Sequence, residues 1–187
     1  KFMFVRFGNV LGSRGSILPL FMEQIKNGGP ITVTTPQMER YFMTIPEACS
    51  LVLQAGGVGS NGESYLLDMG ECIKIKELAE QIIKFSGLEP YKDIDIKFIG
   101  KRKGERETEP LWLKEEEPKK TEFSKILKLK NLDFESSKIQ ELLSKLKPIC
   151  LLSTENEKTQ ELYRNNQYLI DLLCDEIPSL QEFYKEQ

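Results

Sequence analysis

Histidine is absent from the 187-residue sequence, and cysteine is scarce. Without an imidazole, the chain cannot build a serine–histidine or cysteine–histidine nucleophile, and it has no histidine ligand for a metal. No two of its four cysteines form a C-x-x-C pair, so the sequence supports neither a zinc ribbon nor a dithiol redox motif. We interpret them as reduced thiols of a cytoplasmic protein, and we predict no metal site.

Long apolar runs and an excess of positive charge are also absent. No apolar segment approaches the roughly 18 residues that a membrane-spanning helix requires, so we expect no membrane span. The formal net charge of -3 argues against a general nucleic-acid-binding domain. The sequence has no initiator methionine and enters an apolar run directly after Lys1. We therefore expect it to be a piece of a longer protein.

The sequence does contain an alternation of strand-like and helix-like segments, with 40% hydrophobic residues to supply a core. Residues 2–7 are aromatic and β-branched with a single charge, which predicts a buried strand of a parallel sheet. Apolar residues recur at helical spacing farther along. This order predicts an α/β fold, with helices over residues 17–26, 45–55 and 75–86 and further strands over residues 31–34, 63–69 and 95–99.

The composition changes after Leu111. Residues 114–120 are a charged run, which indicates a solvated connection. The remainder is typical of amphipathic helices, predicted over residues 137–147 and 154–174 and from Pro178 onward. We therefore predict two parts: residues 1–111, which carry the candidate binding loops, and residues 112–187, a charged connection followed by a helical C-terminal extension.

One motif is misleading. Residues 57–62, GVGSNG, match the pattern G-x-G-x-x-G. A dinucleotide-binding turn must follow a strand and open a helix, whereas this match follows a predicted helix and precedes a predicted strand. We interpret it as a turn.

Residues 8–16, GNVLGSRGS, are more informative. They follow the carboxyl end of a predicted parallel strand, where open α/β sheets bind ligands, and they lead into a helix N-terminus, which favours anions. Their glycines let a ligand approach the backbone. Asn9, Ser13 and Arg14 offer hydrogen-bond donors. On these residues alone, a phosphate or sugar loop and an ordinary strand-to-helix turn both remain open.

Two arginines stand in other predicted loops. Arg40 precedes the Thr44 helix start, and Arg102 directly follows a strand. Guanidinium groups match phosphate oxygens, so the pair could clamp a diphosphate; two solvated surface arginines are the alternative. Glu105 could accept hydrogen bonds from ribose hydroxyls or could be a surface carboxylate.

Four segments together resemble one family. They are residues 6–16 (RFGNVLGSRGS), 29–34 (GPITVT), 38–48 (MERYFMTIPEA) and 100–105 (GKRKGE). They resemble the CapD-type polysaccharide biosynthesis proteins among the extended short-chain dehydrogenase/reductases, which include UDP-N-acetylglucosamine 4,6-dehydratases. The resemblance covers residues 2–111.

The resemblance implies the C-terminal part of that fold, with the last Rossmann strands, a mixed α/β substrate-binding domain and a helical tail. It also implies the substrate-binding residues of a UDP-sugar site. Asn9 would contact the diphosphate region, with Arg14 and Ser16 in the same loop. Ile31, Thr32 and Val33 would run beside the uracil. Arg40 and Arg102 would hold the phosphates, and Glu105 the ribose.

Departures from the family limit what the chain could do alone. The family's glycine-rich cofactor turn, its Tyr-x-x-x-Lys pair and its acid/lysine elimination pair have no counterpart here, so we predict no catalytic and no cofactor-binding residue. Thr35 stands where histidine is frequent, and Lys103 replaces the usual proline.

The resemblance implies that a longer parent binds NAD(P) and acts as a UDP-sugar 4,6-dehydratase in surface polysaccharide or glycan synthesis. A UDP-sugar 4-epimerase and a non-catalytic binding or assembly module remain as alternatives. Because residues 2–7 would leave a strand edge exposed, we also expect a homo-oligomer.

Overall fold

The computed structural model describes residues 1–102, 104–131, 135–151, 161–177 and 180–181. The chain forms two units, Lys1–Leu132 and Asp133–Gln187. We expected the first part to end at Leu111. The structure extends it, because residues 119–129 form two strands that belong to the sheet of the first unit.

The first unit is a mixed α/β structure, as predicted. Its helices are α1 (Ile17–Lys26), α2 (Ile45–Val58) and α3 (Ile75–Phe85), with a short 3-10 helix at Lys114–Glu116. Its strands are β1 (Phe4–Arg6), β2 (Asn9–Leu11), β3 (Ile31–Val33), β4 (Glu39–Arg40), β5 (Phe42–Thr44), β6 (Ser64–Leu67), β7 (Ile73–Lys74), β8 (Ile96–Phe98), β9 (Lys119–Lys120) and β10 (Ile126–Leu129).

The largest sheet has the strand order β1-β6-β10-β9, with β1 parallel to β6 and β10 antiparallel to both of its neighbours. The predicted strand over residues 2–7 therefore exists in a parallel pairing, but it is shorter than expected. The prediction that it is buried is wrong for its phenylalanines: Phe2 is 84% and Phe4 68% exposed. Side chains alternate along a strand, so Val5 packs into a core while Phe4 points to the opposite face.

Within the described ranges, three strand pairs lie outside this sheet: β2 runs parallel to β5, β3 runs parallel to β8, and β4 runs antiparallel to β7. The β2–β5 pair sets Asn9 beside Phe42, and the β3–β8 pair sets Val33 beside Phe98. These pairs bring the ends of β2, β3 and β8 to the same cleft.

Two hydrophobic clusters hold the first unit together. One joins α1, α3, β3 and β8 around the fully buried Phe21, Ile31 and Ile83. The other joins α2 to β6 and β10 around Ala55, Leu67 and Ile126. Each cluster forms because a helix with apolar residues at helical spacing covers short apolar strands.

Helix α2 begins where the sequence predicted. The Thr44 hydroxyl accepts a hydrogen bond of 3.3 Å from the Glu47 N–H, which satisfies one of the first-turn donors. Pro46 stands in the first turn, where its missing N–H costs no intrahelical bond. The helix continues to Val58, past the expected stop at residues 56–57. The G-x-G-x-x-G match therefore ends a helix and leads by a turn into β6, as its context predicted.

The second unit contains α4 (Ser136–Cys150) and α5 (Asn166–Glu176). One continuous helix was predicted over residues 154–174. Residues 161 and 162 are helical, but the helix is interrupted at residues 163–165, and α5 begins at Asn166. The Asn165 side chain caps α5 by accepting a 3.0 Å bond from the Tyr168 N–H. Residues 152–160 lie outside the described part, as do most of the residues of the helix predicted from Pro178.

Among the described residues, no helix combines the length and hydrophobicity needed to cross a bilayer, and no cluster of acidic or cysteine side chains has a geometry suited to a metal ion. All four cysteines, Cys49, Cys72, Cys150 and Cys174, carry free thiols.

Candidate functional site

An open cleft of about 570 Å³ lies at the ends of β2, β3 and β8, beside the N-terminus of α1. Its volume falls within the range of small-molecule sites. Eight of the nine residues proposed from the sequence line it: Asn9, Arg14, Ser16, Thr32, Val33, Arg40, Arg102 and Glu105. The structure thus brings together residues from four separate segments of the chain.

Asn9 is positioned by a close backbone contact. Its N–H donates a 2.9 Å hydrogen bond to the Tyr41 carbonyl, in register with the β2–β5 pairing. Gly8 permits this approach, because a Cβ at that position would lie 2.9 Å from the Tyr41 Cβ. The segment was predicted to be a loop from Asn9 onward, and its first three residues instead form β2.

The rest of this segment turns sharply into α1. Gly12 and Gly15 adopt φ values of 74° and 76°, which glycine tolerates at no steric cost. The Ser13 hydroxyl donates a 2.8 Å bond to the Val10 carbonyl and so closes the first turn. Arg14 lies between the two turns and is exposed at the mouth of the cleft.

The N-terminus of α1 is positively polarised toward the cleft. Ser16 is the N-cap residue, yet its side chain makes no capping bond, and its buried hydroxyl oxygen has no hydrogen-bond partner among the described residues. A capping side chain usually accepts a hydrogen bond from the N–H of the second or third helical residue, and the third residue here, Pro19, has no N–H. No acidic residue stands in the first turn. The helix dipole is therefore uncompensated here, as in anion-binding helix termini.

Strand β3 places Thr32 and Val33 on the cleft but not Ile31. The Ile31 side chain is fully buried in the cluster with Phe21 and Ile83. Val33 lies on the same face of the strand and is also buried in this cluster, whereas the half-buried Thr32 faces the other side. The expectation that Ile31 lies beside a base therefore has no support from its side chain.

Gln24 occupies part of the β3 edge that sequence reasoning assigned to a base. Its Oε1 accepts a 3.0 Å bond from the Thr32 N–H, and its Nε2 donates a 2.7 Å bond to the Thr32 hydroxyl. No pattern in the sequence singled out Gln24.

The loop after β8 is closed by two reciprocal contacts. The Arg102 N–H donates a 3.1 Å bond to the Glu105 carboxylate, and the Glu105 N–H donates a 3.0 Å bond to the Arg102 carbonyl. The Arg102 side chain is exposed, and within the described residues its guanidinium has no hydrogen bond or ion pair. Lys103 lies outside the described part.

Arg40 lines the cleft, but its guanidinium is engaged by the protein. It donates bonds of 2.7 Å to the carbonyls of Glu39 and Glu107 and one of 2.9 Å to the carbonyl of Arg106. Its Nε lies 3.3 Å from Oε1 of Glu109. At least three of the five N–H groups of an arginine are thus used internally. Of the two arginines predicted to hold phosphates, Arg40 thus already has most of its donors engaged by the protein, whereas Arg102 does not.

Apolar side chains that the sequence did not single out also line the cleft. Phe21 from α1, Met38, Phe42 from β5 and Ile75 from α3 are all buried and contribute to its lining. Phe21 also belongs to the hydrophobic cluster of α1, and its place beside the cleft depends on the packing of segments that are distant in sequence.

Residues 1–131 match the family model described as "Polysaccharide biosynthesis protein". The chain is 57% identical over 116 residues to the capsular polysaccharide biosynthesis protein CapD of Staphylococcus aureus, a match that covers 62% of this chain and 19% of that protein. It is 38% identical over 106 residues to the UDP-glucose 4-epimerase of Rickettsia akari, covering 57% of this chain and 30% of that enzyme. The chain thus spans only a fraction of these relatives.

Two solved structures share the fold. Pen from Bacillus thuringiensis is 36% identical, with a TM-score of 0.59 over 69% of this chain and 39% of that chain. DesIV from Streptomyces venezuelae, a dTDP-glucose 4,6-dehydratase solved with NAD and TYD bound, is 19% identical, with a TM-score of 0.51 over 58% of this chain and 34% of that chain. At that identity, the second likeness concerns the fold alone. The CapD-type resemblance and the predicted fold class are confirmed.

Proposed function

The chain belongs to the polysaccharide biosynthesis protein family, and from that premise we propose that it is the UDP-sugar-binding part of a nucleotide-sugar 4,6-dehydratase. In this proposal, the cleft holds the nucleotide and presents the sugar to residues supplied by a longer parent. The proposed substrate is UDP-N-acetylglucosamine, and the proposed role is in surface polysaccharide or glycan synthesis. The chain alone is proposed to be inactive.

The observation that carries the proposal is the uncompensated N-terminus of α1 beside two exposed arginines in one cleft. The helix dipole and its free N–H groups favour an anion. Arg14 and Arg102 add two positive charges, and guanidinium groups bind phosphate oxygens in a bidentate fashion. The Ser16 hydroxyl, buried without a partner among the described residues, is available as a further donor. A diphosphate satisfies all of these groups together.

The other cleft residues suit the rest of a nucleotide. Asn9 offers a side-chain amide beside the diphosphate position, and the Glu105 carboxylate can accept bonds from ribose hydroxyls. Thr32 and Val33 line the wall where we propose that the uracil lies. We propose that Ile31 contributes only by supporting this wall from the core.

The cofactor belongs to the parent in this proposal. DesIV binds NAD, but residues 57–62 do not fit a dinucleotide turn, because they end α2 and precede β6. We therefore place NAD(P) and the proton-transferring residues of the reaction outside these 187 residues. The free thiols favour a reducing compartment, consistent with a cytoplasmic protein.

Calorimetric titration of the chain with UDP and with uridine tests the binding proposal. We expect UDP to bind and uridine to bind at least tenfold more weakly, because hydrogen bonds to charged groups contribute about 1.5–3 kcal/mol each. Arg102→Ala should weaken UDP about tenfold or more. Lys26→Ala is the matched control: it removes a positive charge at the other end of α1, about 15 Å away, and should leave the affinity unchanged. Equal affinities for UDP and uridine would contradict the diphosphate site.

A UDP-sugar 4-epimerase is the second candidate, favoured by the 38% identity to the Rickettsia enzyme. Incubating the full parent with UDP-N-acetylglucosamine separates the two. A 4-keto-6-deoxy product supports the dehydratase, and a 4-epimer supports the epimerase. Turnover by the 187-residue chain alone would contradict the proposed division between binding and catalytic parts. UDP binding without any activity of the parent would favour a non-catalytic binding module.

We also propose that isolated chains associate through β1. This strand is at the edge of its sheet, with Phe2 and Phe4 exposed, and such edges pair readily. Sedimentation equilibrium should give a dimer or larger species, and Phe4→Lys should shift it toward monomer. A monomeric wild-type mass would contradict this proposal.

A further inference from the structure

The side chain of Gln24 closes one edge of β3. The other edge of the strand is paired with β8, where the Ile31 N–H donates a 2.9 Å bond to the Asp95 carbonyl and the Val33 carbonyl accepts one of 3.0 Å. Every second residue of a strand directs its backbone groups to a given neighbour. Thr32 therefore directs its N–H away from β8, and this N–H donates a 3.0 Å bond to Oε1 of Gln24.

This bond fixes the orientation of the Gln24 carboxamide. A backbone N–H can only donate, so the atom that it meets must be the amide oxygen. The amide nitrogen, Nε2, then lies 2.7 Å from the Thr32 hydroxyl. Because Nε2 can only donate, the hydroxyl oxygen must accept this bond. Turning the amide around would place two donors against each other at Thr32, so one orientation alone satisfies both contacts.

The orientation of Gln24 determines what the Thr32 hydroxyl can do. A hydroxyl has one proton to donate, and Gln24 supplies no free acceptor for it. Within the part of the chain that the structure describes, no other group accepts this proton either. The Thr32 side chain is half-buried, faces away from the Ile31 core and belongs to a residue that lines the cleft. The hydroxyl is thus held as a donor for a ligand in the cleft.

The surroundings of Thr32 suit a flat ring with a polar edge. Leu20 lies one turn before Gln24 on α1, and Ile99 directly follows β8; both line the cleft, with 47% and 56% of their surface exposed. Such aliphatic side chains offer apolar contact to the faces of a ring, while a polar group beside them contacts its edge. In a uracil whose ribose lies near Glu105, the edge remote from the sugar carries the O4 carbonyl.

We propose that Gln24 is a positioning residue that holds the Thr32 hydroxyl as a hydrogen-bond donor, and that this donor selects a carbonyl at position 4 of a pyrimidine base. Uracil has the O4 acceptor at this position, whereas cytosine has an amine, which is itself a donor. Two donors that face each other leave both unsatisfied, which costs affinity. The inference rests on the proposed function of the cleft and names the side chains that distinguish uracil from cytosine.

Calorimetric titrations with UDP and CDP test the proposal, because the two nucleotides share the ribose and the diphosphate and differ only in the base. The wild-type chain should bind UDP about tenfold or more tightly than CDP. In Gln24→Glu, the carboxylate accepts from both the Thr32 N–H and the hydroxyl, so the hydroxyl turns its lone pairs toward the ligand. The preference for UDP should then fall about tenfold. The added negative charge acts on both nucleotides alike and leaves their ratio unaffected.

Gln54→Glu is the matched control. Gln54 lies on α2, where its Nε2 also donates to a hydroxyl, that of Ser50, at 3.2 Å. The control variant makes the same chemical change at a residue that does not line the cleft, and it should keep the UDP-to-CDP ratio of the wild type. A change of this ratio in Gln54→Glu as large as in Gln24→Glu would overturn the proposal.

Two Thr32 variants test the hydroxyl itself and do not depend on the folding of Gln24→Glu. Thr32→Val removes the hydroxyl in a side chain of similar shape and should lose most of the preference, chiefly through weaker UDP binding. Thr32→Ser retains a hydroxyl and should restore the preference. If Gln24 only joined α1 to β3, the substitutions at Gln24 and Thr32 would weaken UDP and CDP by the same factor. An unchanged ratio in Gln24→Glu and Thr32→Val would therefore overturn the proposal.

The wild-type titrations separate failure of this inference from failure of the UDP site. If UDP and CDP bind equally tightly and both bind more tightly than uridine, the diphosphate site stands and the selection of uracil by Thr32 is rejected. If neither nucleotide binds, the proposed function of the cleft is rejected, and this inference with it.

Discussion

Gly8 gives the most direct test of how the backbone positions the cleft. A Cβ at Gly8 would lie 2.9 Å from the Tyr41 Cβ, 3.1 Å from the Tyr41 carbonyl oxygen and 3.3 Å from the Met69 Cε. The first distance is too short for a carbon–carbon contact, and the second is tighter than most carbon–oxygen contacts. Tyr41 cannot simply move, because its carbonyl accepts the Asn9 N–H bond. Gly8→Ala must therefore separate β2 from β5.

Overpacking of this kind costs about 1–3 kcal/mol. With a urea m-value of about 2 kcal/mol/M, a loss of 2 kcal/mol lowers the unfolding midpoint by roughly 1 M. The single tryptophan, Trp112, lies in the first unit, so its fluorescence reports on the unit that contains the substitution. Gly8→Ala should also weaken UDP binding, because it displaces Asn9.

Gly56→Ala is the matched control, since it makes the same chemical change in a different setting. Gly56 lies within α2, and a Cβ there meets nothing within 4 Å. Alanine is the better helix former, so this variant should be more stable by up to about 1 kcal/mol. The reasoning is refuted if Gly8→Ala is as stable as the wild type, or if the two variants change the midpoint in the same direction.

Two further predictions concern stability. Thr44→Ala should lower the free energy of unfolding by about 1 kcal/mol, because it removes the cap of α2. Thr44→Ser keeps a hydroxyl oxygen in place and should cost little. Equal losses of stability in both variants would exclude capping as the cause. Hydrogen bonds from Lys128, Tyr65 and the Ser60 N–H lower the pKa of Glu63 to about 2. The contribution of the Glu63 carboxylate to the free energy of unfolding is therefore fully present above the ordinary carboxyl pKa near 4.5. It is lost as the pH falls through about 2. The midpoint difference between wild type and Glu63→Gln should therefore shrink over that interval, and a difference independent of pH would contradict this account.

The sequence predicted best those elements that depend on local interactions. Helices α1 and α3 begin at the expected residues, because their apolar spacing lies within one segment. The Thr44 cap involves only four consecutive residues. By contrast, β10 cannot be predicted from its own residues, since it becomes a strand by pairing with β6, some 60 residues earlier. The exposure of Phe4 likewise depends on which face of the sheet other segments cover.

In the candidate site, too, residues that could be predicted from local sequence differ from those whose contacts depend on distant segments. Arg14 and Arg102 were proposed because they follow strand ends, which meet at one edge in α/β folds, and Ser16 was proposed from the family resemblance. All three line the cleft. The contacts of the Arg40 guanidinium could not be predicted, since its partners include the carbonyls of Arg106 and Glu107, whose positions only the folded chain defines. Gln24 was missed for the same reason.

The most direct test of the central claim is a titration of the chain with UDP followed by backbone amide chemical shifts. We predict saturable shifts at Asn9, at residues 13–17 and 32–34 and at Arg102 and Glu105. Absence of saturable shifts, or shifts centred away from these segments, would contradict the assignment of this cleft as a UDP-sugar site.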